Sequence, residues 1–544
     1  MMIGGEVPNG DYPLIIRNLL PTVNRSTVAG EIVDASGLRF TYAQFEERVA
    51  KLAGALAACG VEQGDTVAVM DWDTHRYLEC FYAIPSMGAV LMTVNIRLSR
   101  EQVRYTIGHA GATTVIAYPE FLPLLVGGGP DLDLKRIIVV GDAGDFVPPP
   151  GVEMFEFYTI TDEAPSEFDY PEVDERSRAT MFYTSGTTGN PKGVYYSHRQ
   201  LFLHTMSVLA TFGTAPAQGR FGADDVYMPI TPLFHAHAWG FPYAATLLGT
   251  KQVYPGRYKT DVLLRLIKEE GVTFSHCVAS VLRMMLDEAE ESGVSLAGMK
   301  VLIGGGALPE GLARAALEQG IDIFSGYGMS EACAVQTINH LTASEVAAPV
   351  EQQLSLRTRP GRPILLCDIR TAAPDLSATA VGEEGEVVFR GPWLTPGYWR
   401  NEEASKELWR GGWLHSGDIG KFGEDGALRI TDRVKDVIKS GGEWISSLKL
   451  ESLISQVEGV AESAVIAIPD DRWLERPMAL VVPRKGYDLD VETIRAALQA
   501  AAAAGDIPRY GVPEQIRLVD ELDKTSVGKL DKKALRARYV EKVD

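Results

Sequence analysis

Over its first two-thirds the chain alternates short apolar runs with amphipathic helical segments, and this alternation restricts the fold more than any other feature. The runs at residues 66–70, 114–117, 136–140, 272–278 and 301–303 are often β-branched and carry few alternating polar residues. Strands of that kind are buried on both faces, as in a parallel sheet covered by helices. Between them Phe45, Val49, Leu52 and Leu56 share one helical face, with Thr41 and Gln44 as a capping box before it and Gly60 after it. Ser197 and Gln200 make a second capping box, which opens a helix with an expected apolar face of Phe202, Met206 and Leu209. Strands separated by helices imply an α/β architecture.

The texture changes after about residue 350. Runs at 385–391 and 427–432 read as antiparallel strands joined by turns rich in glycine (Gly382, Gly391, Gly397, Gly411, Gly412), a small β-barrel or distorted sheet. After Arg433 come a helix at 447–457, strands at 463–468 and 479–482, a helix from Val491 and a strand at 515–519. This last piece suits a compact α+β unit of about 110 residues.

Composition narrows the function classes. The chain has 544 residues, 46% hydrophobic and 23% charged, enough for a large core in several compact units. Its net charge of −20 argues against general nucleic-acid binding, which needs basic surface. Five scattered cysteines form no CxxC or Cys/His cluster, so neither a disulfide framework nor a zinc site is expected. No secretory signal opens the sequence and no apolar run spans a bilayer, so a cytoplasmic setting is expected.

The most informative stretch is Thr184-Ser-Gly-Thr-Thr-Gly-Asn-Pro-Lys-Gly193, after a strand-like run at 179–183. Gly186 and Gly189 let backbone N–H groups converge. Thr184, Ser185, Thr187 and Thr188 add hydroxyls, and Lys192 adds a positive charge. Such a loop can wrap a polyphosphate. It lacks the Gly-Lys-[Ser/Thr] ending of a Walker A loop.

With four further motifs in order, this loop makes the chain resemble the adenylate-forming enzymes, the superfamily of acyl-CoA synthetases, peptide-synthetase adenylation domains and luciferases. Tyr327-Gly-Met-Ser-Glu331 resembles the segment that stacks adenine and helps hold magnesium. Trp413-Leu-His-Ser-Gly-Asp418 resembles the one ending in the ribose aspartate. Arg433-Val-Lys-Asp436 resembles the domain junction, and Lys524-Thr-Ser-Val-Gly-Lys529 the segment with the catalytic lysine. The resemblance implies ATP or AMP binding by the 184–189 loop, Lys192, Gly305, Gly306, Ala307, Gly326, Tyr327, Gly328, Met329, Ser330, Asp418 and Arg433. It implies Mg²⁺ at Glu331 and Thr184, and a hinge at Lys435. It further implies a large N-terminal AMP-binding domain at residues 1–434, with two packed α/β sheet subdomains and a barrel-like part at about 350–434. A mobile C-terminal α+β domain at 435–544 carries Lys529.

The residue types suit these roles. Asp418 has two acceptor oxygens for a ribose diol, and Arg433 a charged fork for the same sugar. Glu331 is a hard oxygen ligand, and Tyr327 presents a flat face. In isolation each has a plainer reading: a turn aspartate, a surface ion pair, a helix-start glutamate, a core tyrosine. Lys529 lies in a basic stretch within an acidic chain; for Lys532, Lys533, Arg536 and Arg538 a solvated helix face is expected.

A narrower resemblance, to the medium-chain fatty-acid and methylmercaptopropionate CoA ligase branch, rests on Met70–Cys80, Thr93–Leu98, Phe234-His-Ala-His-Ala-Trp-Gly-Phe-Pro-Tyr243, Gly391-Pro-Trp393 and Ser440-Gly-Gly-Glu-Trp-Ile-Ser446. It implies that His235, as a catalytic-site and acyl-site residue, and Trp239, Ala279 and Gly304 meet the acyl group. Lys439, Gly441, Gly442 and Trp444 would meet CoA. Val278-Ala279-Ser280 departs from the family's Val-Pro-Thr, and His237, Gly306, Ser330 and Asp523 are further departures. The implied reaction is ATP-dependent ligation of a medium-size or bulky hydrophobic carboxylic acid to CoA through acyl-AMP. One half-reaction alone, with a separate carrier protein, and a catalytically dead nucleotide-binding protein are the alternatives. A homodimer would fit the family.

Overall fold

The computed structural model describes residues 12–20, 30–184, 190–433, 435–440, 443–470, 472–525 and 528–540. A seven-stranded sheet takes the spatial order Glu153–Glu156, Arg136–Val139, Ala112–Ala117, Thr66–Met70, Val90–Thr93, Arg178–Thr184, Lys192–Ser197. It is parallel except for its last pair, in which Lys192–Ser197 runs back along Arg178–Thr184. A nine-stranded sheet is parallel through Asp322–Tyr327, Lys300–Ile303, Phe274–Cys277, Val226–Pro229, Lys251–Tyr254 and Glu31–Asp34. Antiparallel strands close both its ends.

Local chemistry sets these elements. Every residue of Thr66–Met70 and Val90–Thr93 is buried, as the absence of polar alternation requires. Thr41 and Gln44 exchange both capping-box hydrogen bonds at the start of the Tyr42–Ala58 helix, and Ser197 and Gln200 do so for His198–Gly213. The His75–Ser86 helix is buried on all sides, and its charged residues are paired. His75 Nδ1 lies 2.9 Å from Asp34, Arg76 3.1 Å from Asp71, and Arg48 2.6 Å from Glu79. Unpaired, such charges would be strongly destabilising in the interior.

Asp368–Ala372, Gly385–Arg390, Leu414–Phe422 and Leu428–Arg433 make a four-stranded antiparallel sheet with bulges. Among the described residues its end strands do not pair with each other, so the barrel expected here is an open, distorted sheet. A fourth, five-stranded sheet begins at Ile438–Ser440 and is carried by the long hairpin of Val460–Asp470 and Leu474–Pro483. The Ser447–Ser455 and Val491–Ala504 helices bury Leu450, Ile454, Ile494 and Leu498 against it. Among the described residues no helix is long and apolar enough to cross a membrane. All five cysteines are free.

Two expectations are corrected. In the His198–Gly213 helix Met206 is exposed, and the buried face is Leu201, His204, Thr205, Val208 and Phe212. His204 packs edge-on to Trp393 at 5.6 Å, which turns a polar residue inward. The Lys532–Tyr539 helix is not simply solvated. Lys532 is buried, 2.7 Å from both Glu451 and Ser447 Oγ, while Arg536 pairs with Asp436 and Arg538 with Asp523. Lys533 is exposed as expected.

Candidate active site

The strands of the nine-stranded sheet deliver the site at their C-terminal ends. Gly304 and Gly305 follow Lys300–Ile303, and the 326–330 segment ends Asp322–Tyr327. One cavity of about 40 Å³ brings these together with His235, Trp239 and Lys529. Gly305 has φ +76°, and a Cβ there would lie 2.7 Å from Lys529 Cε. The lysine therefore approaches the sheet over a residue without a side chain. A Cβ on Gly304 would lie 2.9 Å from the Trp239 ring.

His235 and Trp239 come from an unusual loop. Ala236, His237, Ala238 and Trp239 all have positive φ, between 46° and 60°, ahead of Gly240 at 81°. A left-handed turn of L-residues costs roughly 1–2 kcal/mol per residue, and surrounding packing must hold it. Part of that hold comes from Asp73, whose carboxylate accepts from Leu233 N at 2.9 Å and from the Tyr258 hydroxyl. Burial, above all, pushes Asp73 up to about 7. The Trp239 ring lies 4.9 Å from His276, which Tyr227 and Thr231 fix at 2.7 and 3.0 Å. His237 points away from the cavity, between Phe81 and Phe182. Burial, then the neighbouring Lys529 and Arg97, lowers His235 to about 3, so its ring is neutral near pH 7.

The residues expected to bind the nucleotide also converge. The Tyr327 hydroxyl donates to Asp418 Oδ2 at 2.7 Å, and Arg433 Nε lies 3.2 Å from Asp418 Oδ1. Asp418 and Arg433 face each other across neighbouring strands. Burial pushes the Asp418 carboxyl up, against the pull of Arg433 and Tyr327. Burial first, and then Arg433, lowers Lys529 from 10.5 to about 8, while Asp418 and Glu331 work in the opposite direction. Glu331 is buried, and its Oε1 accepts from the Tyr398 hydroxyl at 2.8 Å. Lys192 Nζ stands 4.7 Å over the same tyrosine ring. Thr184 ends its strand with Oγ1 3.5 Å from the Lys192 carbonyl.

Other predicted residues stand apart or fall outside the description. Gly306 and Ala307 are exposed beyond the cavity. Ala279 begins the Ala279–Ser292 helix and packs against the core of the second sheet, so it does not line the cavity. Lys439 is exposed, its N–H bonded to Glu475 at 2.7 Å, and pairs in register with Trp444. Lys435 is exposed between the third and fourth sheets. Ser185, Gly186, Thr187, Thr188, Gly189, Gly441 and Gly442 lie outside the described residues, as does the Trp444 side chain. Among the described residues no group of three or more His, Cys, Asp or Glu could hold a metal ion. A larger, open hollow of about 490 Å³ beside Ser99, Tyr105 and Asn190 contains none of the predicted residues. Tyr398, Asp73 and His276, to which sequence analysis gave no role, contact Glu331, the Leu233 N–H and the Trp239 ring from positions distant in the chain.

The AMP-binding enzyme family matches residues 22–399, and the AMP-binding enzyme C-terminal domain matches 449–529. The chain is 38% identical to the long-chain-fatty-acid–CoA ligase of Thermus thermophilus, over 92% of this chain and 90% of that one. It is 33% identical to the 3-methylmercaptopropionyl-CoA ligase of Ruegeria pomeroyi, over 97% of each. The crystal structure of the anthranilate CoA ligase AuaEII in complex with anthranoyl-AMP superposes with a TM-score of 0.85 at 23% identity, over 98% of each chain, and so shares the fold. With two family domains in sequence and full-length relatives of this similarity, the chain belongs to the adenylate-forming family of AMP-binding enzymes, among its acyl-CoA ligases.

Proposed function

We propose that the protein is an ATP-dependent carboxylic acid:CoA ligase acting on a medium-size hydrophobic acid. The observation that carries this reading is the meeting of Lys529 with His235, Trp239 and the 326–330 segment around one cavity. A substrate carboxylate oxygen attacks the α-phosphorus of ATP, and the bond to pyrophosphate breaks. The CoA thiolate then attacks the acyl carbon, and the bond to AMP breaks. The Lys529 ammonium neutralises charge that grows as pyrophosphate leaves. Asp418, oriented by Tyr327, accepts from the ribose diol, and Arg433 donates to the same sugar. The 184–189 loop and Lys192 hold phosphates. Buried, with one oxygen fixed by Tyr398, the Glu331 carboxylate suits magnesium. Glu331 and Thr184 would hold that ion, which supplies charge neutralisation to the ATP phosphates. Neutral His235 and the Trp239 wall receive the acid. After the first step the domain at 435–544 rotates about Lys435, withdrawing Lys529 and bringing Lys439, Gly441, Gly442 and Trp444 to CoA.

A panel of carboxylic acids assayed for AMP release, with and without CoA, tests the reading. Steady AMP release that requires both CoA and a medium-size hydrophobic acid is expected. Nucleotide binding without turnover on any acid would overturn it.

The charge of Lys529 also predicts a pH profile. A lysine lowered to about 8 keeps its proton below that value and loses it above. For acyl-AMP formation, kcat/KM for ATP is therefore flat below pH 8 and falls about tenfold per pH unit beyond it, because this ratio reports the free enzyme. A profile still rising a full unit higher would show that the charge is not needed.

A further inference from the structure

We infer that Ser280 is a positioning residue for adenylation: its hydroxyl holds the Lys529 loop against the N-terminal domain in the conformer that makes acyl-AMP. The inference rests on the proposed role of Lys529. The Ser280 hydroxyl donates to the Gly528 carbonyl at 3.0 Å, across 248 residues of chain. That carbonyl belongs to the peptide bond leading into Lys529, so the contact fixes the backbone from which the lysine side chain departs.

Both sides of the contact are built for it. Ser280 is the second residue of the Ala279–Ser292 helix, anchored in the second core by Leu282, Met285 and Leu286. Val278, at the N-cap, supplies no side-chain cap, and the Ser280 hydroxyl reaches across the domains. On the other side the lysine loop is braced internally. Thr525 N–H donates to the Lys529 carbonyl at 2.7 Å, Gly528 N–H to the Thr525 carbonyl at 2.9 Å, and Lys529 N–H to Thr525 Oγ1 at 3.2 Å. These bonds join Thr525, Gly528 and Lys529 to one another, so a tether at the Gly528 carbonyl bears directly on the Lys529 backbone. Gly528 has φ +82°, and a Cβ there would meet Val278 at 3.4 Å and Ser280 Oγ at 3.5 Å. Those are ordinary contact distances, so it is the left-handed backbone at Gly528, not the space over the helix, that favours glycine there.

The tether spans the two domains that must rotate apart for the second half-reaction. It acts in one conformer and must break in the other. A net hydrogen bond of ordinary strength corresponds to roughly three- to tenfold in rate. Ser280→Ala is expected to slow ATP-driven acyl-AMP formation by that factor through kcat, with KM for ATP and acid unchanged. Transfer from supplied acyl-AMP to CoA should keep its rate, and Ser280→Thr, which retains the hydroxyl, should restore adenylation. Equal slowing of both half-reactions, no slowing at all, or failure of threonine to rescue would each overturn the inference. Lys529→Ala in the same assays separates the two ideas. If it spares adenylation, the reading of Lys529 falls. If it abolishes adenylation while Ser280→Ala leaves it intact, the tether alone falls.

Discussion

Lys529→Ala loses acyl-AMP formation by roughly a hundred- to a thousandfold, the scale expected when a preorganised charge is removed from a transition state. The substitution spares conversion of supplied acyl-AMP to acyl-CoA. The asymmetry follows from where the residue sits. Its ammonium shares a cavity with the 326–330 segment and crosses Gly305, and it belongs to the C-terminal segment proposed to rotate away before CoA enters. Burial among Arg433 and the sheet edge lowers its proton affinity. The protein therefore keeps the charge in an unfavourable place, a use of stability that fits transition-state binding better than structural pairing. Single-turnover assays of each half-reaction measure the split, and equal loss in both would refute it.

Asp418→Ala is expected to damage both half-reactions, because ATP and acyl-AMP share the ribose. Charge-assisted hydrogen bonds contribute about 1.5–3 kcal/mol each, so losing a bidentate acceptor lowers kcat/KM for ATP by roughly a hundredfold or more. The change also strands the Tyr327 hydroxyl, now bonded to Asp418 at 2.7 Å, and leaves Arg433 without its carboxylate at 3.2 Å. Isothermal titration with AMP reads the binding part directly. Wild-type AMP affinity in this variant would remove Asp418 from the nucleotide site.

Local signals made much of the fold legible. Thr66–Met70 is a strand with the predicted bounds, because uninterrupted β-branched and apolar residues suit a position between helices. The capping boxes at Thr41 and Ser197 also specify their helices by chemistry within a few residues. What failed depended on partners far along the chain. The inward side of His198–Gly213 is set by Trp393 and by the Leu365 carbonyl that accepts from Ser207, and neither is visible in the helix itself. Lys532 is buried because Glu451 and Ser447 wait on another helix. For the site, ordered motifs singled out Tyr327, Glu331, Asp418, Arg433 and Lys529 as candidates. Tyr398, which fixes Glu331, lacks any charge or spacing that would mark it. Ala279 drew notice as a missing proline, yet its neighbour Ser280 makes the cross-domain contact.

The Glu31–Asp34 strand pairs with Lys251–Tyr254, about 220 residues later, while the intervening Thr66–Met70 and its neighbours assemble a different sheet. At about 5–20 residues per second, a ribosome needs roughly 10–45 s to supply that partner. Throughout synthesis of this interval Glu31-Ile-Val-Asp34 has the adjacent Arg39–Thr41 strand on one edge, and its other edge must wait unmatched. A nascent chain halted before Tyr254 would thus display one strand edge that the finished molecule conceals.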